Sequence, residues 1–191
     1  MNEMVTKLLS MFPKVKVLDA KLLNRVFKIP LDVLLQILIQ ACRMPVTEED
    51  EAQIEATKQE ARRRIRRGKH HTFCYIRGAS GRLHAGIQRT YHRAGDADTC
   101  AEEVAIGNLA IAEEPGCTAV TVHFMPIAER EDGGVTSIVS PCSTCATRLR
   151  IVEEQQGEPL GVIVYHKGEV IKVPAWLSVL FLYPAEHDHE K

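Results

Sequence analysis

The sequence predicts an α/β domain in which one mixed β-sheet is sandwiched by helices. Downstream of residue 47 the predicted elements follow the order β-β-α-β-α-β-β, with β-prone and helical segments alternating. Only Lys167 and Gly168 separate the last two strands. A parallel connection needs a crossover of a dozen or more residues, so this pair is predicted to be antiparallel. The 191 residues suit one compact domain with an appendage.

The composition is that of a soluble globular protein, with 45% hydrophobic and 26% charged residues. The net charge of -1 gives no global attraction to nucleic acid or to an anionic membrane. The first residues lack a secretory signal pattern, and the apolar stretch 31–41 is too short to span a bilayer. We therefore expect a cytoplasmic protein whose six cysteines are thiols or metal ligands rather than disulfides.

Residues 1–46 are predicted to form a helical N-terminal extension. Apolar residues recur there at spacings of three and four, and Pro13, Pro30 and Pro45 punctuate the pattern. The segment contains no chemical motif. It is expected to pack on the main domain or on a neighbouring subunit.

A second helix is predicted to begin at Thr47, since Thr47 and Asp50 have the spacing of a capping box. The last turns of this helix are rich in arginine, within the basic run Arg62–Arg67, and the helix is expected to end at Gly68. The run fits either a solvated helix end or a phosphate or polynucleotide contact. The absence of interleaved aromatic residues favours the solvated end.

The remaining elements follow from turn residues and apolar patterning. They are a hairpin about residues 78–81, a helix over 99–114, a strand over 117–125, a glycine-rich loop, a helix over 140–156, two strands about the 167–168 turn, and a closing helix or strand over 174–184. These give a main domain over 47–184. The acidic tail 185–191 is predicted to be disordered.

Three cysteines and a glutamate carry the chemical signal. Cys142 and Cys145 lie three residues apart at the start of a predicted helix, so both thiolates can reach one ion. That pair alone is a weak signal, compatible with a metal, a redox pair or neither. Cys100 begins another predicted helix, Glu102 follows two positions later, and both helix dipoles favour an anionic cluster. Since a structural zinc takes four protein ligands, three cysteines with one unligated glutamate favour a catalytic zinc.

C-A-E followed by P-C-x-x-C is similar to the signature of the cytidine deaminase superfamily in its three-cysteine form. The resemblance covers about residues 50–184 and extends to "GRLHAG" and "TYHRAGDADTCAEEVAIG", which resemble blasticidin S deaminases of the free-nucleoside branch. It implies a three-layer α-β-α sandwich with a mixed five-stranded sheet and an antiparallel last strand pair. It also implies that Cys100, Cys142 and Cys145 hold Zn²⁺. Glu102 would move protons from a water molecule to the ring nitrogen and the leaving ammonia.

The resemblance also implies substrate-binding positions. Backbone groups near Ala101 and Ser140 would contact the base edge. Gln88 and Thr90 occupy the positions at which nucleoside deaminases have an Asn and a Glu that hold the ribose hydroxyl. The carboxylate is therefore missing here, which leaves substrates other than cytidine open. Alternating polar faces on a strand are the alternative interpretation of these two residues.

A second departure concerns charge. Tetrameric relatives have an Arg directly after the C-A-E glutamate, where it offsets the charge of the three thiolates. This chain has Glu103 there, and Glu103 is expected to face solvent. Arg148 is a candidate substitute, and an outward surface arginine is the alternative.

The leading hypothesis is a zinc-dependent hydrolytic deaminase of a free cytosine-type nucleoside or of a modified nucleoside. One alternative is a catalytically silent deaminase-fold zinc protein that acts as an interaction module. Another is a polynucleotide cytosine deaminase, a branch that resembles this one but has a helix between its last two strands. The tight turn at 167–168 disfavours that branch. We expect a small nucleoside-like substrate, no membrane or nucleic-acid partner, and a homotetramer or homodimer.

Overall fold

A computed structural model describes residues 31–64, 71–88, 99–125 and 134–179. The chain divides into two compact units, with residues 31–43 in one and residues 44–179 in the other. Helix α1, Leu31–Cys42, is the described element of the first unit. The predicted tail 185–191 and most of the predicted extension lie outside the described residues, so the domain boundaries stay a prediction.

Helix α2, Glu48–Arg64, begins at the predicted capping box. The Thr47 backbone N–H donates to Asp50 Oδ2 at 3.0 Å, and the Asp50 N–H donates to Thr47 Oγ1 at 3.2 Å. The described part of the basic run, 62–64, is exposed on the last turn, where positive charge complements the helix dipole. Residues 65–68, including the predicted end at Gly68, lie outside the described residues.

One sheet contains all six described strands, and its main path has the order β2-β1-β3-β5-β6. The strands are β1 (His71–Gly78), β2 (Leu83–Ile87), β3 (Gly116–Met125), β4 (Val135–Ile138), β5 (Gly161–His166) and β6 (Glu169–Pro174). Strands β3 and β5 are parallel, and the other pairs are antiparallel. The predicted mixed sheet with an antiparallel last pair is confirmed. Strand β4 pairs with the end of β3 and makes the sheet six-stranded rather than five-stranded as expected, because residues 135–138 were not predicted to form a strand.

The β5–β6 hairpin has the predicted two-residue turn. His166 pairs with Glu169, and Lys167 and Gly168 have φ angles of 47° and 86°. Positive φ at both central residues is the requirement of a type I′ turn, whose twist matches that of the flanking strands.

The two faces of the sheet are covered by different helices. On one face, Phe73, Val120 and Val122 pack against Ile54 of α2 in a buried apolar cluster. On the other face lie helices α3 (Ala101–Ile111) and α4 (Ser143–Gln156). The first turn of α3 approaches Gly86 so closely that a Cβ there would lie 1.9 Å from the Ala101 carbonyl oxygen. The three-layer arrangement predicted from the resemblance is confirmed.

A buried polar network ties α2 to the sheet. Asp50 is fully buried and accepts hydrogen bonds from Arg77 Nη2 at 2.7 Å, Lys172 Nζ at 2.9 Å and Thr118 Oγ1 at 2.9 Å. These donors come from β1, β6 and β3, so one carboxylate fixes α2 against three strands. Such a group is tolerated in the interior because its charge and lone pairs are satisfied.

A second buried carboxylate fixes the end of the described chain. The Glu153 side chain on α4 accepts backbone N–H groups of Leu160, Ala175 and Trp176 at 2.8–3.2 Å. The last two belong to helix α5, Ala175–Ser178, so the start of the segment predicted as a helix or a strand is helical. Within the described ranges, no helix is long and apolar enough to cross a membrane.

Candidate active site

Two helix N-termini bring the three predicted cysteine ligands together. Cys100 is the N-cap residue of α3 and Cys142 that of α4, and neither side chain makes a capping hydrogen bond. Cys145 lies in the first turn of α4. The three Sγ atoms lie within 4.8 Å of one another, and Cys100 Sγ is 3.7 Å from Cys142 Sγ. The positive ends of both helix dipoles therefore favour thiolates at this point.

The donor set fits a zinc ion. Tetrahedral Zn–S bonds of about 2.3 Å place two sulfurs about 3.8 Å apart, which matches the 3.7 Å between Cys100 Sγ and Cys142 Sγ. A disulfide needs about 2.05 Å, and all three cysteines are free. In the described part of the chain, no fourth Cys, His, Asp or Glu joins the group. Three protein ligands leave a fourth coordination position for a water molecule, as in catalytic zinc sites.

Two of the three thiols, those of Cys100 and Cys145, have a raised pKa. Burial raises the pKa of Cys100, and burial together with the nearby Glu102 charge raises the pKa of Cys145. A cysteine that ligates a metal must be deprotonated, so metal binding by these residues would release protons and its affinity would depend on pH.

Glu102 is buried beside the cysteines but is not part of the ligand group. Burial raises the pKa of this carboxyl, while hydrogen bonds from its own backbone N–H, the Thr121 hydroxyl and the Cys145 thiol lower it. If Cys145 ligates a metal as a thiolate, it has no proton to donate to Glu102. The Thr121 hydroxyl is then the one side chain among these three donors that still donates a hydrogen bond to the Glu102 carboxylate.

Thr121 was missed by sequence reasoning. It is buried on β3, and its carbonyl oxygen accepts the Val139 N–H at 3.0 Å. It therefore contacts both Glu102 and the segment that leads to Cys142. The only sequence signal was a polar residue in a largely apolar strand, a property that Thr118 and His123 share.

A cavity of about 170 Å³ opens beside the cysteines and Glu102. Its lining residues are Thr72, Gln88, Cys100, Ala101, Glu102, Val139, Ser140 and Cys142. The structure thus places the predicted substrate-binding residues Gln88, Ala101 and Ser140 around one cavity. Thr90, the fourth, lies outside the described residues. Thr72 and Val139 were not predicted.

Glu103 and Arg148 form an ion pair between the two ligand-bearing helices. Each side chain is 42% exposed, so Glu103 is half-exposed rather than fully directed to solvent. The pKa of Arg148 is raised, first by the hydrogen bond to Glu103 and further by the charges of Cys145 and Cys100. Arg148 is thus a half-exposed arginine that also lies within electrostatic reach of the thiols.

Comparison with solved structures identifies the fold. No family model matches the sequence, and no curated protein sequence matches it. The cytidine deaminase from Bacillus anthracis superposes with a TM-score of 0.51 and 16% identity, covering 72% of this chain and 89% of that chain. The chain has the cytidine deaminase fold.

Two further cytidine deaminases are similar at lower TM-scores. The Mycobacterium leprae enzyme has a TM-score of 0.47 and 16% identity, covering 71% of this chain and 98% of that chain. The Burkholderia pseudomallei enzyme has a TM-score of 0.45 and 20% identity, covering 65% of this chain and 91% of that chain. At these identities the likeness is one of fold, and the chemistry must be argued from the site.

Proposed function

We propose that this protein is a zinc-dependent hydrolytic deaminase of a free cytosine-type nucleoside or of a modified nucleoside. The observation that carries the proposal is the three-cysteine group at two helix N-termini, with the buried, non-ligating Glu102 beside it. A cavity contacts both. A site that only stabilises the fold needs a fourth protein ligand and has no use for such a carboxylate.

Zn²⁺ held by Cys100, Cys142 and Cys145 would supply a Lewis acid that lowers the pKa of a water molecule towards neutrality. Glu102 accepts a proton from that water and donates it to the ring nitrogen of the substrate. It then takes the second proton from the hydroxyl group now bonded to the ring carbon and transfers it to the leaving amino group. Addition of water and loss of ammonia convert the amino-bearing carbon into a carbonyl. A carboxyl whose pKa is raised by burial accepts and returns protons near neutral pH more readily than an exposed one.

The cavity walls suggest how the ring is held. Backbone groups at Ala101 and Ser140, which both line the cavity, are proposed to contact the base edge. Gln88 also lines it and is proposed to bind the part of the substrate beyond the ring, together with Thr90. The cavity is smaller than the roughly 300–1,000 Å³ of sites that enclose a drug-sized ligand, so it suits a small substrate.

The β5–β6 hairpin favours a free nucleoside over a polynucleotide. Its two strands are antiparallel and joined by Lys167 and Gly168 alone. The polynucleotide branch, by the resemblance described above, has a helix at this position. The exposed arginines 62–64 are accounted for in part by contacts with Glu60 and Thr136.

We further propose that the protein assembles as a homotetramer or homodimer. Several large apolar side chains are exposed on the second unit, among them Ile111 at 81%, Tyr165 at 56% and Ile151 at 44%. Contact with another subunit would remove such surface from water. Sedimentation should give an oligomer at micromolar concentration, and a monomer would contradict this proposal.

Metal analysis and a substrate screen test the proposed function. The purified protein should contain one zinc per chain and release ammonia from at least one amino-bearing pyrimidine or purine nucleoside. Cys142→Ser should lose the zinc and the activity. Cys117→Ser is the matched control, because Cys117 is a free cysteine outside the ligand group. Zinc-containing protein that deaminates no nucleoside would contradict the proposal.

A further inference from the structure

A threonine and a histidine beside the cavity have no part in the mechanism described above. Thr72 on β1 lines the cavity, and His123 is its register partner on β3. Thr72 Oγ1 lies 3.3 Å from His123 Nδ1, within hydrogen-bond distance. Neither residue belongs to a sequence motif, and their pairing follows from the register of the two strands.

Thr72 is also the neighbour of Gln88. The Gln88 backbone N–H donates to the Thr72 carbonyl oxygen at 2.9 Å, so the two residues stand side by side at adjacent strand ends. Both line the same cavity as Cys100, Cys142 and Glu102. The metal and proton-transfer groups thus come from the helix N-termini, whereas this wall comes from the sheet.

We infer that the Thr72 hydroxyl contacts the substrate and that His123 orients this hydroxyl. Thr72 and Gln88 together form the wall of the cavity that binds an uncharged, hydroxyl-bearing part of the substrate beyond the reacting ring. This assignment rests on the proposed function insofar as the bound molecule is nucleoside-like. The sugar of a free nucleoside has the required chemistry.

The hydrogen-bonding capacity of a hydroxyl explains the role of His123. A threonine hydroxyl has one donor and two acceptor sites, and its hydrogen rotates freely unless a partner fixes it. The contact with His123 Nδ1 fixes it in either neutral tautomer of the ring. If Nδ1 accepts, the lone pairs of Thr72 remain for a substrate donor; if Nδ1 donates, the Thr72 proton remains for a substrate acceptor. His123 is therefore a positioning residue that acts through Thr72.

Binding of cytidine and of free cytosine, measured by equilibrium dialysis, tests this inference. The measurements use zinc-loaded protein carrying Glu102→Gln, so that turnover does not interfere. Adding Thr72→Val removes the hydroxyl and keeps the side-chain shape. The cytidine Kd should rise roughly 2- to 10-fold, as expected for one neutral hydrogen bond, and the cytosine Kd should not change. Thr72→Ser, which retains the hydroxyl, should bind cytidine nearly as the parent does.

His123 is tested by a double-mutant cycle. His123→Phe should weaken cytidine binding by less than Thr72→Val does, and it should have no further effect when Thr72 is already Val. His123→Asn, whose side-chain amide can take the place of Nδ1, should retain part of the affinity. The zinc content of each variant reports whether the site is intact.

Three results would overturn the assignment. The Thr72→Val variant could bind cytidine as tightly as the parent does, the substitution could weaken the binding of cytidine and cytosine equally, or the parent could fail to bind cytidine. If the effects of Thr72→Val and His123→Phe on the cytidine Kd are additive, His123 does not act through Thr72. Cytidine binding that responds to Thr72→Val, without ammonia release from any nucleoside by the unaltered protein, would refute the deaminase and leave the role of Thr72 standing.

Discussion

Gly86 on β2 controls how closely the ligand-bearing helix α3 approaches the sheet. A Cβ at this position would lie 1.9 Å from the Ala101 carbonyl oxygen and 2.6 Å from the Ala105 nitrogen. Real Cβ atoms essentially never come closer than 3.0 Å to such atoms. Gly86→Ala therefore requires the first turn of α3 to retreat by roughly 1 Å, since backbone cannot rotate away as a side chain can.

The retreat should affect both stability and the metal site. Overpacking costs typically about 1–3 kcal/mol, and we expect the upper end because the atoms met are backbone. Ala101 lies directly between Cys100 and Glu102. Metal–ligand distances hold to about 0.2 Å, so a shift of this size should weaken zinc binding as well. A misplacement of about 1 Å can also cost about 10²-fold in rate.

Urea unfolding and zinc content measure the two effects, with Gly107→Ala as the matched control. Gly107 lies in the same helix, and a Cβ there would meet nothing within 4 Å. That change should stabilise the protein by about 0.5–1 kcal/mol through helix propensity and leave the zinc unchanged. Gly86→Ala with parental stability and full zinc would refute the close approach described here.

Three further changes test separate parts of the structure. Burial acts to raise the pKa of Asp50, but hydrogen bonds from Lys172, the Thr47 backbone and Thr118 outweigh it and lower the pKa to about 2 from 3.8. Because the folded-state pKa is depressed, Asp50 should contribute about 2 kcal/mol of stability above about pH 4, and this contribution should be lost as the pH falls towards 2. Urea unfolding at a series of pH values should show this loss in the parent but not in Asp50→Asn. Glu153→Gln should lower the unfolding free energy by roughly 1.5–3 kcal/mol, since a neutral amide replaces a charged acceptor of three backbone N–H groups; unchanged stability would contradict this. Thr121→Val should retain zinc but lower kcat by roughly tenfold through loss of a hydrogen bond to the catalytic carboxylate, and recovery in Thr121→Ser would separate the hydroxyl from packing.

Local signals account for the parts of the fold that the sequence predicted. The capping box at Thr47 and Asp50 fixes the start of α2 through bonds within four residues. Lys167 and Gly168 specify a hairpin because both central positions of its turn have positive φ. Strand β4 has no such signal. Its four residues become a strand only by pairing with the distant end of β3, which is a tertiary contact.

The candidate site divides in the same way. Cys100 and Cys142 lie at helix N-caps, positions that a short motif can specify, and the resemblance of C-A-E and P-C-x-x-C to the deaminase signature predicted a common ligand group. Thr121 and the Thr72–His123 pair could not be predicted, because their positions beside one another and near the site depend on the register of β1 and β3. Strand register depends on the packing of the whole sheet rather than on neighbouring residues.

The most direct test of the account compares zinc content and ammonia release on the same preparations of the parent, Glu102→Gln and Glu103→Gln. The control residue Glu103 is adjacent but half-exposed and paired with Arg148. The parent and both variants should contain one zinc per chain, because three cysteines and one water complete a tetrahedron without either glutamate. Glu102→Gln should lose deamination by 10²–10⁴-fold or more, since a positioned acid–base group typically contributes about that much, whereas Glu103→Gln should remain active. A Glu102→Gln variant that deaminates as fast as the parent would contradict the assignment of Glu102 as the proton-transfer group, even with zinc fully bound.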